Sequence, residues 1–219
     1  LTARVIDRPM RPLFPKDYRN DVTLENLVMA VDQDCSPELT AMLGAALATS
    51  ISDIPFDGPI STTQVGLVDG EFVFNPTAAQ KVVSDLALTV ASTKEKVIMI
   101  EAGAKEVPED KMIEAIFAAH ELNQKVIAFF DTIVAECGKK KHEYQSFAVP
   151  QELFDAIQEI VTPAEMEEAV FTDDKQTREE NIRVITEKLE EAFADNEEWL
   201  AKLGEAVYQY QKKTVRKMI

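Results

Sequence analysis

Three arginines near the start of the sequence stand at a spacing that could grip a polyanion. Arg4, Arg8 and Arg11 are related as i, i+4 and i+7, so a helical path puts all three on one face. A guanidinium keeps its charge at any physiological pH and offers a planar fork that binds phosphate through two parallel hydrogen bonds. The alternative for any one of them is a weak surface ion pair with a neighbouring acid such as Asp7 or Asp17. Pro9 and Pro12 limit how far a helix continues, because proline lacks the backbone donor and its ring crowds the preceding turn. The segment is therefore expected to leave its helix and run as rigid, irregular backbone through Pro15.

Charge singles out the same stretch. The 219 residues carry a formal net charge of −16, which excludes a generic nucleic-acid coat. Residues 1–19 nevertheless hold five basic against two acidic residues, a balance of +3, while the remaining 18 basic and 37 acidic residues sum to −19. A polyanion touching this chain would be confined to its first segment and repelled elsewhere.

Other chemistry is sparse. No Cys or His stands at metal-ligand spacing. His120 falls inside a helical pattern and reads as a packed or half-exposed side chain. Cys35 and Cys137 are far apart and are expected to be reduced, buried thiols of a cytosolic protein. The Glu-rich runs at 165–168 and 187–191 read as solvated helix faces. Lys212, Lys213, Arg216 and Lys217 end the last helical pattern, where cations complement the dipole. No apolar run approaches a membrane span, and no signal segment opens the chain. It begins at Leu1 and its last residues still read as helix, so both ends read as cut.

The elements that must position these residues fall into two textures. From Val22 to Cys137 the pattern is mixed α and β. Thr23–Val31 reads as a strand of largely buried character. Pro37 to about Ser50 reads as a helix capped by Ser36, with Pro37 in its first turn; Gly44, Ala45 and Ala46 would let it approach a sheet. Gln64–Phe74 places two apolar runs around Asp69-Gly70, a tight-hairpin signal. Asp85–Ala91 and Lys96–Glu101 read as strands, the second apolar on both faces and so expected to be central. Pro108 opens a long helix with a stripe of Met112, Ile116, Ala119, Val126, Phe130 and Ile133, stopped by Gly138.

After the polar run at Lys139–Lys141 the strand signal vanishes. Helical patterns follow at 150–161, 163–171, 174–194 and 196–218, with apolar stripes Ile182, Ile185, Leu189, Phe193 and Leu200, Leu203, Val207, Tyr210. The fold class read from this is α+β: a partial, mixed sheet with packed helices over residues 1–141, then an all-α bundle over 142–219.

The opening words carry more than periodicity. Leu1-Thr-Ala-Arg4-Val-Ile-Asp7-Arg8-Pro9-Met-Arg11-Pro12-Leu-Phe14-Pro15 resembles the segment of polynucleotide phosphorylases that follows their RNA-gripping loop. The likeness continues through Ile54–Ile60, Val65-Gly66, Asn75-Pro76-Thr77 and Thr172–Lys175, so it covers essentially the whole chain. It implies that residues 1–141 are the later part of the first, non-catalytic ribonuclease PH-like domain and 142–219 the helical linker domain. The family is implied to be cytoplasmic, to degrade mRNA from its 3′ end with inorganic phosphate, releasing nucleoside diphosphates, and to polymerise in reverse. It is implied to form a homotrimeric ring around an RNA channel, with no membrane and no DNA as partner. Association with an endonuclease and helicase in an RNA-decay assembly is a further family-level expectation.

By the same resemblance, the catalytic repeat carries two aspartates and a lysine on and just before the strand that corresponds to Leu86–Val90. Here Lys81 and Ala87 stand where the carboxylates should be and Thr89 where the lysine should be. Neither Lys81 nor Ala87 offers the hard oxygen that Mg²⁺ requires. The expectation is that this segment has no catalytic residue and no metal ligand. The Mg²⁺ (or Mn²⁺) of the parent enzyme would sit in its second domain, with Arg4, Arg8 and Arg11 here as RNA- or phosphate-contacting residues. Gln64 stands where some relatives carry a basic residue, which puts a contact from that loop in doubt. The reading from a different class is a non-catalytic α/β plus helical protein-interaction module.

Overall fold

The computed structural model describes residues 2–219; Leu1, the first residue of the opening motif, lies outside the described residues. Two compact units separate between Gln145 and Ser146, slightly beyond the composition break at Lys141. The polar stretch after that break is pinned to the first unit. Lys141 Nζ donates to the carbonyls of Thr49, Ser50 and Ser52 at 3.2, 2.9 and 2.7 Å, carbonyls that a helix C-terminus leaves short of partners. Burial pushes the Lys141 ammonium below its ordinary pKa. The His142 N–H donates to Asp53 O at 2.8 Å, and the Tyr144 hydroxyl to Asp17 at 3.0 Å.

The first unit opens with helix α1 (Thr2–Met10), a 3-10 turn (Arg11–Leu13) and helix α2 (Pro37–Ile51). The Ser36 hydroxyl accepts from Leu39 N and Pro37 occupies the first turn. Strand β1 (Ser61–Val68) turns at Asp69 (φ 52°) and Gly70 (φ 83°) into β2 (Glu71–Phe74). Both turn residues take the left-handed conformation, as an Asp-Gly hairpin requires. Helix α3 (Ala78–Val83), strands β3 (Leu86–Ser92) and β4 (Val97–Ala104) and the long helix α4 (Glu109–Cys137) complete it. The sheet order is β2-β1-β3-β4, antiparallel at every pairing where a mixed sheet was expected. The tight β1–β2 and β3–β4 hairpins permit only that direction, and the longer connection through α3 sets β3 antiparallel along the other edge of β1.

Helix α4 covers one face, where Val65, Leu86, Leu88 and Val90 meet Ala115 and Ala119. Helices α1 and α2 cover part of the other, where Ile60, Ala91 and Met99 meet Ile6, Met10, Met42, Ala45 and Ala46. Each fully buried large side chain contributes about 1.5–3 kcal/mol. One polar node stands inside the α4 layer. Asn123 donates to Val90 O (3.1 Å) and Ser92 Oγ (2.8 Å) and accepts from Thr63 Oγ1 (2.8 Å). It ties α4 to both central strands.

In the second unit, α5 (Gln151–Ile160), α6 (Pro163–Val170), α7 (Lys175–Ala192) and α8 (Glu197–Met218) enclose a core of Leu153, Phe154, Ile157, Met166, Leu189, Leu203 and Val207. The breaks between helices carry caps: a Thr162/Glu165 capping box, Asp174 on Thr177 N and Asn196 on Trp199 N. No helix among the described residues is long and apolar enough to cross a membrane.

Three further expectations are corrected. Residues 23–31 are not a buried strand; they form no regular element and are exposed throughout, because nothing among the described residues pairs with them. Strand β4 is an edge strand, its apolar pattern notwithstanding. Helix α1 ends at Met10, one residue past Pro9, and gives way to the 3-10 turn and irregular backbone, in line with the limit the prolines set. Cys35 and Cys137 are free but exposed, one in a loop and the other on the last turn of α4.

Candidate functional site

Helix α1 is built with two faces. Ile6, Met10 and Leu13 are buried at helical spacing, and that anchorage turns Arg4, Arg8 and Arg11 outward. All three are exposed. Arg4 has no hydrogen-bond or ion-pair partner among the described residues. Arg8 Nη1 lies 3.5 Å from Glu101 Oε2 on β4, with the two side chains 53% and 41% exposed. Arg11, in the 3-10 turn, binds Asp7 in forked fashion, Nη2 at 2.8 Å and Nε at 3.1 Å, and is 75% exposed. The local ion pair weighed for Arg11 is thus present, while Arg8 pairs with an acid 93 residues away. Exposed pairs of this kind are weak and exchange readily for a stronger anion.

An open cleft of about 1110 Å³ adjoins the ridge, and Arg11, Lys16 and Arg19 share its lining with Asp7, Asp21 and Glu38. Sequence reasoning counted Lys16 and Arg19 as charge without placing them. Arg19 is fixed by donation to Lys16 O at 2.6 Å. Glu38 is held below the usual carboxylate range by its own backbone N–H and by the Ser36 hydroxyl, so an anion here meets a fixed negative charge at the cleft's α2 side.

The strand aligned with catalytic chemistry carries none of its groups. Ala87 faces Gly103, and Thr89 faces Glu101, across the β3–β4 ladder. Glu101 is engaged by Arg8, and Asp85 by Lys105 at 3.4 Å. Lys81 sits exposed at the end of α3. No cluster of three His, Cys, Asp or Glu able to hold a metal exists among the described residues. A lone paired carboxylate beside a methyl group does not fit Mg²⁺, which seeks near-octahedral oxygen ligation. What the surface presents is exposed guanidinium charge beside a strand without a grouped set of carboxylates among the described residues.

The remaining candidates are structural. His120 is partly buried and lies against Gln124 on the same helix. Lys213 Nζ stands 3.8 Å over the Phe154 ring, within the second unit.

The antiparallel sheet backed by α4 defines the class. Residues 58–121, covering β1 to β4 and the start of α4, match the model of the 3′ exoribonuclease family, domain 2. Along its full length the chain is similar to proteins named polyribonucleotide nucleotidyltransferase. It is 76% identical to that of Lachnoclostridium phytofermentans, over all of this chain and 32% of the relative. It is 49% identical to that of Ruminiclostridium cellulolyticum and 47% to that of Shouchella clausii, over all of this chain and 31% of each. These matches are consistent with a fragment of a polyribonucleotide nucleotidyltransferase, and the chain spans about a third of the length of the curated relatives it matches.

Proposed function

We propose that these residues form a non-catalytic, RNA-guiding and scaffolding segment of a 3′-to-5′ phosphorolytic exoribonuclease that degrades mRNA and releases nucleoside diphosphates. The observation that carries it is the exposed arginine ridge of α1 and the following turn, standing out of an otherwise acidic chain. RNA's phosphates bind such a ridge by replacing the weak carboxylate partners of Arg8 and Arg11, and by direct contact with Arg4. Chemistry then falls to a second, metal-bearing domain of the parent, where Mg²⁺ or Mn²⁺ and inorganic phosphate would be held. The resemblance to polynucleotide phosphorylases supports a cytoplasmic homotrimer, and an RNA-decay assembly with an endonuclease and helicase, as its working context.

The test is the triple charge reversal Arg4→Glu, Arg8→Glu, Arg11→Glu in the full-length enzyme. Affinity for long single-stranded RNA should fall, the salt dependence of binding should flatten, and phosphorolysis of long RNA should slow more than that of short oligonucleotides. Unchanged affinity and turnover on long RNA would overturn the assignment and favour a protein-interaction module.

A further inference from the structure

We propose that α8 carries a second contact for single-stranded RNA, with the Tyr208 ring stacked on a base and Lys212 and Arg216 on the flanking phosphates. The contact rests on the reading of the parent as an enzyme that acts on RNA. Charge singles out this end of the helical unit. Residues 146–205 hold five basic and seventeen acidic residues, whereas residues 206–219 hold four basic residues and no Asp or Glu. So abrupt a change within one helix restricts a polyanion to its C-terminal half.

The helix dipole explains only part of that cluster. Its attraction for cations falls off within the last turn, where Arg216 and Lys217 stand. Lys212 lies before that turn, and the dipole has no bearing on Tyr208. The core fixes which side chains face out. Leu203, Val207, Tyr210 and Thr214 are buried, which leaves Tyr208, Lys212 and Arg216, spaced i, i+4 and i+8, along one exposed face.

These three side chains differ from their counterparts elsewhere. Of the four tyrosines, Tyr18, Tyr144 and Tyr210 engage His142, Asp17 and the Val161 carbonyl through their hydroxyls. Tyr208 is 56% exposed and has no hydrogen bond among the described residues. Arg183, Lys188 and Lys202 of the same unit are each held by a glutamate, while Lys212 and Arg216 form no ion pair among the described residues. Lys213 is excluded, its charge being tied to the Phe154 ring. On α8 the acid nearest this face is Glu205, one turn ahead of Tyr208, where it accepts from Gln209 Nε2 at 3.1 Å and bounds the site. An exposed ring beside free cations is what single-stranded RNA uses, since every base offers a face to stack on and the cations follow the backbone. An acidic protein surface would engage the cations and leave the ring without a role.

Fluorescence anisotropy with a labelled single-stranded RNA and the full-length enzyme, across a salt series, tests it. Lys212→Gln combined with Arg216→Gln should flatten the slope of log Kd against log salt by about 1.4, two contacts at roughly 0.7 each. Tyr208→Ala should weaken binding about fivefold or more at every salt concentration with the slope unchanged, and Tyr208→Phe should keep the wild-type affinity. Melting temperatures should not move, because all three side chains are exposed. An unchanged slope in the double variant, wild-type affinity in Tyr208→Ala, equal losses in Tyr208→Ala and Tyr208→Phe, or losses matched by a lowered melting temperature would each overturn the contact. Wild-type enzyme without salt-dependent RNA affinity overturns the RNA reading as a whole; a response to the Arg4, Arg8 and Arg11 reversal with none to these variants overturns the α8 contact alone.

Discussion

Asp7 is the sharpest lever on the arginine ridge, because its removal should strengthen binding. In the structure its carboxylate occupies the fork of Arg11 at 2.8 and 3.1 Å, in the geometry a phosphate would use. Both side chains are well exposed, 75% and 49%, and a pair in that setting is worth about 1 kcal/mol at most. RNA must displace the carboxylate before using Arg11, so Asp7→Asn should tighten single-stranded RNA binding by about two- to fivefold, the equivalent of roughly 0.5–1 kcal/mol. Because Arg11 meets a phosphate in both proteins, the slope of log Kd against log salt should change by less than the roughly 0.7 of a whole contact. The two positions should also couple. Arg11→Gln is expected to have a small effect while Asp7 is present and a larger one in the Asp7→Asn background, which a double-mutant cycle measures. The assay is fluorescence anisotropy with a labelled single-stranded RNA and the full-length enzyme, across a salt series. Weaker binding by Asp7→Asn, or strictly additive effects of the two substitutions, would refute the view that Asp7 competes with RNA for Arg11.

Two predictions concern the scaffold. Asn123→Ala removes a fully buried amide with three partners and should cost roughly 2–4 kcal/mol, since it strands Thr63 and Ser92 as well as opening a void; loss of exchange protection in β1 and β3 reads it, and a cost below about 0.5 kcal/mol would show the node to be dispensable. In the helical unit, hydrogen bonds hold three carboxyls below their ordinary values: Glu165 by the backbone of Thr162, Asp174 by the side chain and then the backbone of Thr177, and Glu180 by Arg183. Their contribution is fully present above the unfolded values near about 4 and is lost as pH falls through the lowered folded ones. Helicity of this unit should therefore decline from about pH 4 downward, and Asp174→Asn should make the decline shallower; a flat profile down to about pH 2 in far-ultraviolet circular dichroism would contradict the capping assignments.

Local chemistry alone determined a good deal of this protein. Ser36 before Pro37, Thr162 before Glu165 and Asn196 before Glu197 mark helix starts, because a short polar side chain bonding the first free N–H groups acts within four residues. Asp69-Gly70 fixed the hairpin, since few residues other than Gly, Asn and Asp accept positive φ. The stripes Ile185, Leu189, Phe193 and Leu203, Val207, Tyr210 foretold the second core, and Arg4, Arg8 and Arg11 were legible as an outward ridge from their spacing and the proline stops.

What only the tertiary structure decided depends on partners distant in sequence. The pattern of residues 23–31 and of β4 records burial, and burial is a property of what lies alongside; within residues 2–219 the first has no neighbour and the second has one. The same holds for Cys35 and Cys137, whose type favours the interior but whose positions, a loop and a helix end, leave them in solvent. Glu101 beside Arg8 and Lys141 beneath the end of α2 were invisible in advance. A side chain's type states which partners it accepts, and chain topology over some ninety residues decides which one it meets.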